Sequence, residues 1–179
     1  MERKAQLIEQ REQSRTCSGF AESRKKKGEA QFTLEQLYIS PFTARRRYDE
    51  DGNVSWVPIE RNLKPTGIWV MDHYLQFLMR GGFYRPTFCE QEGVTQAQLA
   101  ALVSVLTGMG VIEFQQRYVL MVADELLRYT SLTLDHIAHH YGGIDATNLC
   151  RLYKKYYGTT PSQRREQLRQ QGDEGRFRV

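Results

Sequence analysis

The sequence predicts a mainly α-helical fold: two helix-turn-helix units joined by a long linker helix, preceded by a short N-terminal extension that contains a β-hairpin. Three observations predict it. From residue 67 to 170 apolar residues recur at three- and four-residue steps, and glycine or proline stands at the breaks. Within that stretch, short helix, glycine turn and second helix occur at 85–106 and again at 133–157, with an apolar-rich helix over 112–128 between them. Ahead of it, Asp51-Gly52 lies between two strand-like runs, which is a hairpin signal.

Residues 1–31 are polar and charged, and Leu7, Ile8 and Phe20 are too sparse to form a core. They read as a basic, flexible tail with at most a transient helix around 3–13. Order begins in 32–65. Thr33 can cap a short helix with Glu35 in its first turn, and Ser40-Pro41 breaks it. Tyr48 and Val54-Ser55-Trp56-Val57 flank the turn Asp49-Glu50-Asp51-Gly52-Asn53, and Arg45-Arg46-Arg47 would lie on the hairpin within reach of phosphates. A rival reading makes 33–48 a miniature helix-turn-helix; the Asp-Gly turn favours the hairpin.

Pro65 and Gly67 mark the boundary to a domain over 66–170. Ile68, Met71, Leu75, Leu78 and Met79 give a helix that Gly81-Gly82 stops. A short helix over 85–92 ends at Gly93. Leu99, Leu102, Val103 and Leu106 form an i, i+3, i+4, i+7 stripe closed by Gly108 and Gly110. The linker over 112–128 follows, then a helix over 133–141 turned by Gly142-Gly143, and one over 147–157 ended by Gly158. Thr160 caps the last helix, with Pro161 at its first position and Gly172 beyond its end. Residues 171–179 read as a C-terminal tail.

Composition narrows the function. The chain has 179 residues, 40% hydrophobic and 26% charged, which suits a globular domain. Its mean hydropathy is −0.59. Its longest mainly apolar stretch, 99–112, is too short to span a bilayer, so no membrane association is expected. Met1-Glu2-Arg3-Lys4 does not open a secretory signal, and a cytoplasmic protein is expected. Cys17, Cys89 and Cys150 are odd in number and widely spaced, giving neither a disulfide framework nor a zinc pattern. The net charge of +4 is concentrated. Arg151, Lys154, Lys155, Arg164, Arg165, Arg169, Arg176 and Arg178 face only Glu166, Asp173 and Glu174, and Arg24-Lys25-Lys26-Lys27 form a second cluster. Residues 95–111 carry no charge. Basic ends around a neutral middle point to a polyanion, most simply nucleic acid.

The physical logic of the repeated format agrees. A glycine reverses the chain tightly, so the second helix of each unit projects and can enter a major groove. Two such helices can reach successive grooves about 34 Å apart. The residues Ala123-Asp124-Glu125-Leu126-Leu127, Thr130, Thr133-Leu134-Asp135-His136-Ile137-Ala138, Gly142, Asp145, Leu149, Arg151, Tyr153-Lys154-Lys155, Tyr157-Gly158-Thr159-Thr160-Pro161-Ser162 and Arg165 closely resemble the C-terminal signature of the AraC/XylS family of bacterial transcription regulators. The resemblance extends more loosely back to Gly67 through Gly93 and Gly108; residues 1–65 show none.

The resemblance implies a second recognition helix over 145–157, with Ala146, Thr147, Asn148, Cys150 and Arg151 facing DNA. Arg151 would take a guanine or a phosphate, Asn148 an adenine, and Thr147 a phosphate or a thymine methyl. Leu149, Leu152 or Tyr153, and Tyr156 would pack inward. Lys154 and Lys155 would contact the DNA backbone or stay on a solvated face, the plainer reading for Lys155. Ser162 and Arg165, at the helix that starts at Pro161, complete the candidate set, with free amides there for a phosphate.

The first recognition helix, 95–106, departs from the family pattern. Its groove positions would be Ala97, Gln98, Ala100 and Ala101, where the family usually has polar or basic side chains. This unit is therefore expected to read DNA weakly or to serve as a partner surface. Val119 replaces a usual arginine. Gly143 replaces a usual core phenylalanine, which costs buried area unless Ile144 substitutes. A sugar-binding β-barrel, common in the family, does not fit in residues 1–65, so no small-molecule effector is expected.

Other signals are weaker. His136, His139 and His140 share a helix face, but no further ligand is evident and no metal or other cofactor is expected. Tyr153, Tyr156 and Tyr157 suit core packing better than base stacking. No nucleophile elbow, phosphate loop or facing carboxylate pair is present, so no enzyme is expected. The expectation is a sequence-specific double-stranded DNA-binding regulator, an activator by resemblance, reading mainly through the second unit. A homodimer, RNA polymerase or a co-regulator would be its protein partners. The alternative is an interaction module or antagonist on a helix-turn-helix fold with weakened DNA binding. Residues 43–59 and the apolar face of 95–106 would be its contact surfaces.

Overall fold

The computed structural model describes residues 30–169 and 174–179. The basic cluster at 24–27, Cys17 and the sparse apolar residues of the expected tail lie outside the described residues, as does Gly172.

Thr33 starts α1 (Leu34–Leu37): its hydroxyl accepts the Gln36 N–H, and the Gln36 side chain accepts the Thr33 N–H. Beyond α1 the chain is extended, so the rival helix-turn-helix over 33–48 does not form. Strands β1 (Ala44–Tyr48) and β2 (Val54–Pro58) make the expected hairpin, with Arg46 opposite Trp56 and Tyr48 opposite Val54. The Asp49 carboxylate closes the turn by accepting the N–H groups of Asp51 and Asn53, and Gly52 supplies φ +81°.

A third strand, β3 (Phe177–Arg178), pairs antiparallel with β1 and gives the order β2-β1-β3. The chain end is thus a strand rather than the tail the sequence suggests. The cause is Phe177, whose ring lies 5.4 Å from that of Phe42 and 4.6 Å from that of Tyr129. A two-residue strand shows no alternation from which to read it.

Seven further helices follow among the described residues: α2 (Trp69–Met79), α3 (Arg85–Glu92), α4 (Gln96–Thr107), α5 (Val111–Tyr129), α6 (Leu134–His136), α7 (Ala146–Tyr157) and α8 (Pro161–Arg169). Gly93, Gly108 and Gly158 end α3, α4 and α7 in the left-handed region. The helix expected over 133–141 is α6 plus one wide π-type turn, Ile137–Tyr141.

Helix α5 is the axis. Phe114, Tyr118, Leu120, Val122, Ala123, Leu126 and Leu127 on it are buried. Its adjacent carboxylates serve different neighbours, because consecutive helical residues diverge by about 100°. Asp124 accepts the Tyr153 hydroxyl at 2.9 Å and Arg164 Nε at 2.8 Å. Glu125 accepts the hydroxyls of Tyr38 at 2.9 Å and Ser40 at 2.8 Å. One helix thus ties the second unit to one side and the N-terminal element to another.

The units also meet through two glycine pairs. A Cβ on Gly81 would lie 1.9 Å from the His140 carbonyl oxygen, and one on Gly143 would lie 2.4 Å from Phe83 Cβ. The turn after α2 therefore fits against the turn of the second unit. Phe83, with the half-buried Ile144, occupies space next to Gly143, so the expected loss of packing there is made good from another segment. Val119 is buried against the same turn.

Candidate nucleic-acid interface

Helix α7 separates its residues cleanly. Leu149 and Tyr153 are buried and Leu152 and Tyr156 half-buried, whereas Thr147, Asn148, Arg151, Lys154 and Lys155 are exposed. The exposed residues recur at three- and four-residue steps and form one polar stripe.

The stripe starts at the N-cap. The Asp145 carboxylate accepts the Asn148 N–H at 2.8 Å, and this bond above all holds its carboxyl below the usual carboxylate range. The Asn148 side-chain amide donates to the same carboxylate, and Arg151 Nη1 donates to Asn148 Oδ1 at 3.5 Å. Arg151 has no ion pair among the described residues. An exposed guanidinium held by one long hydrogen bond can turn to a base edge at little cost.

Not every expected contact residue shares this placement. Ala146 and Cys150 are half-buried at the edge of the stripe, and Ala146 packs on the core. Lys155 places Nζ 4.8 Å from the centre of the Tyr156 ring. The Arg165 guanidinium turns back and donates to the Leu132 carbonyl. Ser162 is exposed. At the start of α8, Pro161 has no N–H and Thr160 Oγ1 accepts that of Gln163 at 3.2 Å. The amide seat expected there is thereby reduced to Ser162. Tyr157 is 46% exposed, so the tyrosine run is core at Tyr153, partly so at Tyr156, and surface at Tyr157.

One residue escaped the sequence reading. Arg117 of α5 lies 5.4 Å from the centre of the Tyr156 ring, the same ring that Lys155 of α7 approaches. The Tyr156 hydroxyl donates to Gln116 Oε1 at 3.1 Å. Arg117 also pairs with Glu113 at 2.8 Å, one helical turn away. Nothing in its spacing marks it, because its approach to the Tyr156 ring is tertiary.

The first unit presents a different surface. Ala97, Gln98 and Ala101 of α4 are exposed and Ala100 is half-buried. The Gln98 side-chain oxygen accepts the Thr95 N–H at 2.8 Å and hydroxyl at 3.0 Å, so Gln98 serves as a cap. Val105 is 63% exposed. In the second unit His136 and His140 stack at 4.2 Å and His139 meets Asp135 at 3.4 Å. Among the described residues no group of three or more metal-ligating side chains converges. Nor is any single described helix long and apolar enough to cross a membrane.

Two projecting second helices around a linker, one with a polar basic stripe, define a helix-turn-helix DNA-binding architecture. More particularly, residues 88–167 match the family model described as "Helix-turn-helix domain". The chain is similar to the C-terminal domain of the two-component response regulator yesN from Fusobacterium nucleatum subsp. nucleatum, with 22% identity and a TM-score of 0.48 over 54% of this chain and 94% of that one. It is also similar to the xylose-binding transcription activator xylR, with 22% identity and a TM-score of 0.46 over 63% of this chain and 32% of that one. The chain thus spans about a third of the length of the xylR structure. No curated protein matches it.

Proposed function

We propose that the chain is a sequence-specific regulator that reads double-stranded DNA mainly through α7, with activation of transcription as its output. The observation that carries this reading is the contrast between the two second helices. Helix α7 exposes Thr147, Asn148, Arg151, Lys154 and Lys155, whereas α4 exposes Gln96, Ala97, Gln98, Ala101, Ser104 and Val105 and carries no charged residue of its own. Asn148 and Arg151 have the donor and acceptor groups that discriminate adenine and guanine. Lys154, Lys155, Arg117 and the Ser162 amide supply phosphate contacts around them. Activation rests on the resemblance to the AraC/XylS family alone.

Phosphate contacts through one unit are few, so high affinity needs a second protein, either another copy or a partner. Footprinting tests this division of labour. The reading expects one protected major groove per chain, lost in Asn148→Ala. Protection of two consecutive major grooves by a proven monomer would contradict it.

The uncharged face of α4, with Val105 exposed, favours a second reading: an interaction module that meets RNA polymerase or a co-regulator there. If Arg151→Ala leaves regulation intact while Val105→Glu abolishes it, that second reading holds and the DNA reading fails.

A further inference from the structure

The three-stranded sheet has one face that nothing among the described residues covers. Residues directly opposite across an antiparallel ladder share a face. The pairs Tyr48–Val54, Arg46–Trp56, Ala44–Pro58 and Ala44–Arg178 therefore lie together, and Arg45, Val57 and Phe177 lie on the other face. Phe177 marks the inward side, since it packs on Phe42 and Tyr129. On the outward side Tyr48 is 56% exposed, Val54 52% and Trp56 41%, a contiguous apolar cluster. The Arg46 guanidinium lies 5.2 Å from the centre of the Tyr48 ring within it.

Charge along this face is polarised. The hairpin tip carries Glu50 and Asp51, both exposed. The opposite end carries Arg178, also exposed, opposite Ala44. Apart from Arg46, which is seated on the Tyr48 ring, the face runs from acid through the aromatic cluster to a cation, a self-complementary order. A second copy turned by 180° about an axis through the cluster sets the acidic tip of each chain on the Arg178 end of the other, and Trp56 near Trp56. A polyanion fits poorly, because the tip would repel it.

We propose that this sheet face is a homodimer interface, formed isologously by Tyr48, Val54 and Trp56 and oriented by the Glu50/Asp51 tip against Arg178. The inference does not depend on the DNA-reading role of α7, and its test needs no DNA. Its apolar centre is three side chains, Tyr48, Val54 and Trp56, so a weak dimer is expected, forming at about 1–100 μM chain.

Sedimentation equilibrium of the full chain provides the test, with circular dichroism and thermal midpoint as checks on folding. The wild type should follow a monomer–dimer equilibrium. Trp56→Arg should be monomeric with an unchanged midpoint. Asp51→Lys and Arg178→Glu should each raise the dimer Kd about tenfold. The double variant Asp51→Lys/Arg178→Glu should restore dimerisation, which a generic loss of solubility or folding cannot do. In a Trp69→Phe background, Trp56 emission should shift to the blue as the dimer forms. A wild type that stays monomeric at 100 μM overturns the proposal. So does a dimer indifferent to Trp56→Arg. A monomer with emission already blue-shifted also overturns it, because the face would then be covered within one chain.

Discussion

At the scale of single residues, Asp124 and Asp145 are the two carboxylates on which the second unit depends. Asp124 is part-buried and accepts bonds from both the Tyr153 hydroxyl and the Arg164 guanidinium, so it joins α7 and α8 to α5. Replacing it by alanine leaves the Tyr153 hydroxyl without its partner in a buried place. Asp124→Ala should therefore lower stability by about 2–3 kcal/mol in urea unfolding, and Tyr153→Phe by only about 1 kcal/mol. Equal losses would contradict this division. The Asp145 carboxyl is held low by the hydrogen bonds of its cap, chiefly from the Asn148 N–H. The unfolded chain therefore takes up this proton first as pH falls. The cap's contribution is complete above the ordinary carboxylate range and is lost as pH drops through the depressed value. An NMR titration should show the Asp145 carboxylate titrating below an ordinary aspartate, with the Asn148 amide losing exchange protection in step. Asp145→Asn should abolish that pH response, because asparagine caps without titrating.

At the scale of elements, the decisive contacts are those between turns. Gly81 is pressed against the His140 carbonyl at φ +81°, whereas Gly110, at φ −69°, has open space around it. Gly81→Ala should cost at least about 2 kcal/mol by urea unfolding, and Gly110→Ala should stay within about 0.5 kcal/mol. The contrast between α4 and α7 is testable by gain as well as loss. Ala101→Arg adds a charge to an exposed position on an uncharged helix and should raise the salt dependence of DNA binding by about one counterion. An unchanged salt slope would mean that α4 stands off the DNA. Helices α3, α4 and α7 were legible in sequence because each ends where a glycine takes the left-handed turn, at Gly93, Gly108 and Gly158. The hairpin was legible for the same local reason at Gly52. What escaped depends on tertiary contact. Phe83 fills the place beside Gly143 from sixty residues earlier in the chain. Phe177 makes a strand only because Phe42 and Tyr129 receive it. Arg117 joins Lys155 only through the Tyr156 ring. The retreat of Arg165 to Leu132 and of Ala146 to the core also has no signature in spacing.

At the scale of the whole molecule, α5 holds the second helix-turn-helix unit and the N-terminal element as separate attachments through Asp124 and Glu125. Loss of one should leave the other in place. Glu125→Ala should loosen residues 30–65 in hydrogen exchange while leaving the α7 amides protected; loosening of both would show a single cooperative block. Arg151 and its neighbours on α7 are the proposed readers of sequence. The most direct test of that role is fluorescence anisotropy on a duplex selected from a random library and on a random duplex, across salt, for wild type and Arg151→Ala. The wild type should prefer the selected duplex, and Arg151→Ala should lose about 1–3 kcal/mol of that preference while still binding both duplexes at low salt. Equal and steeply salt-dependent binding to both duplexes, unchanged by Arg151→Ala, would contradict the account and leave the fold to serve protein contacts instead.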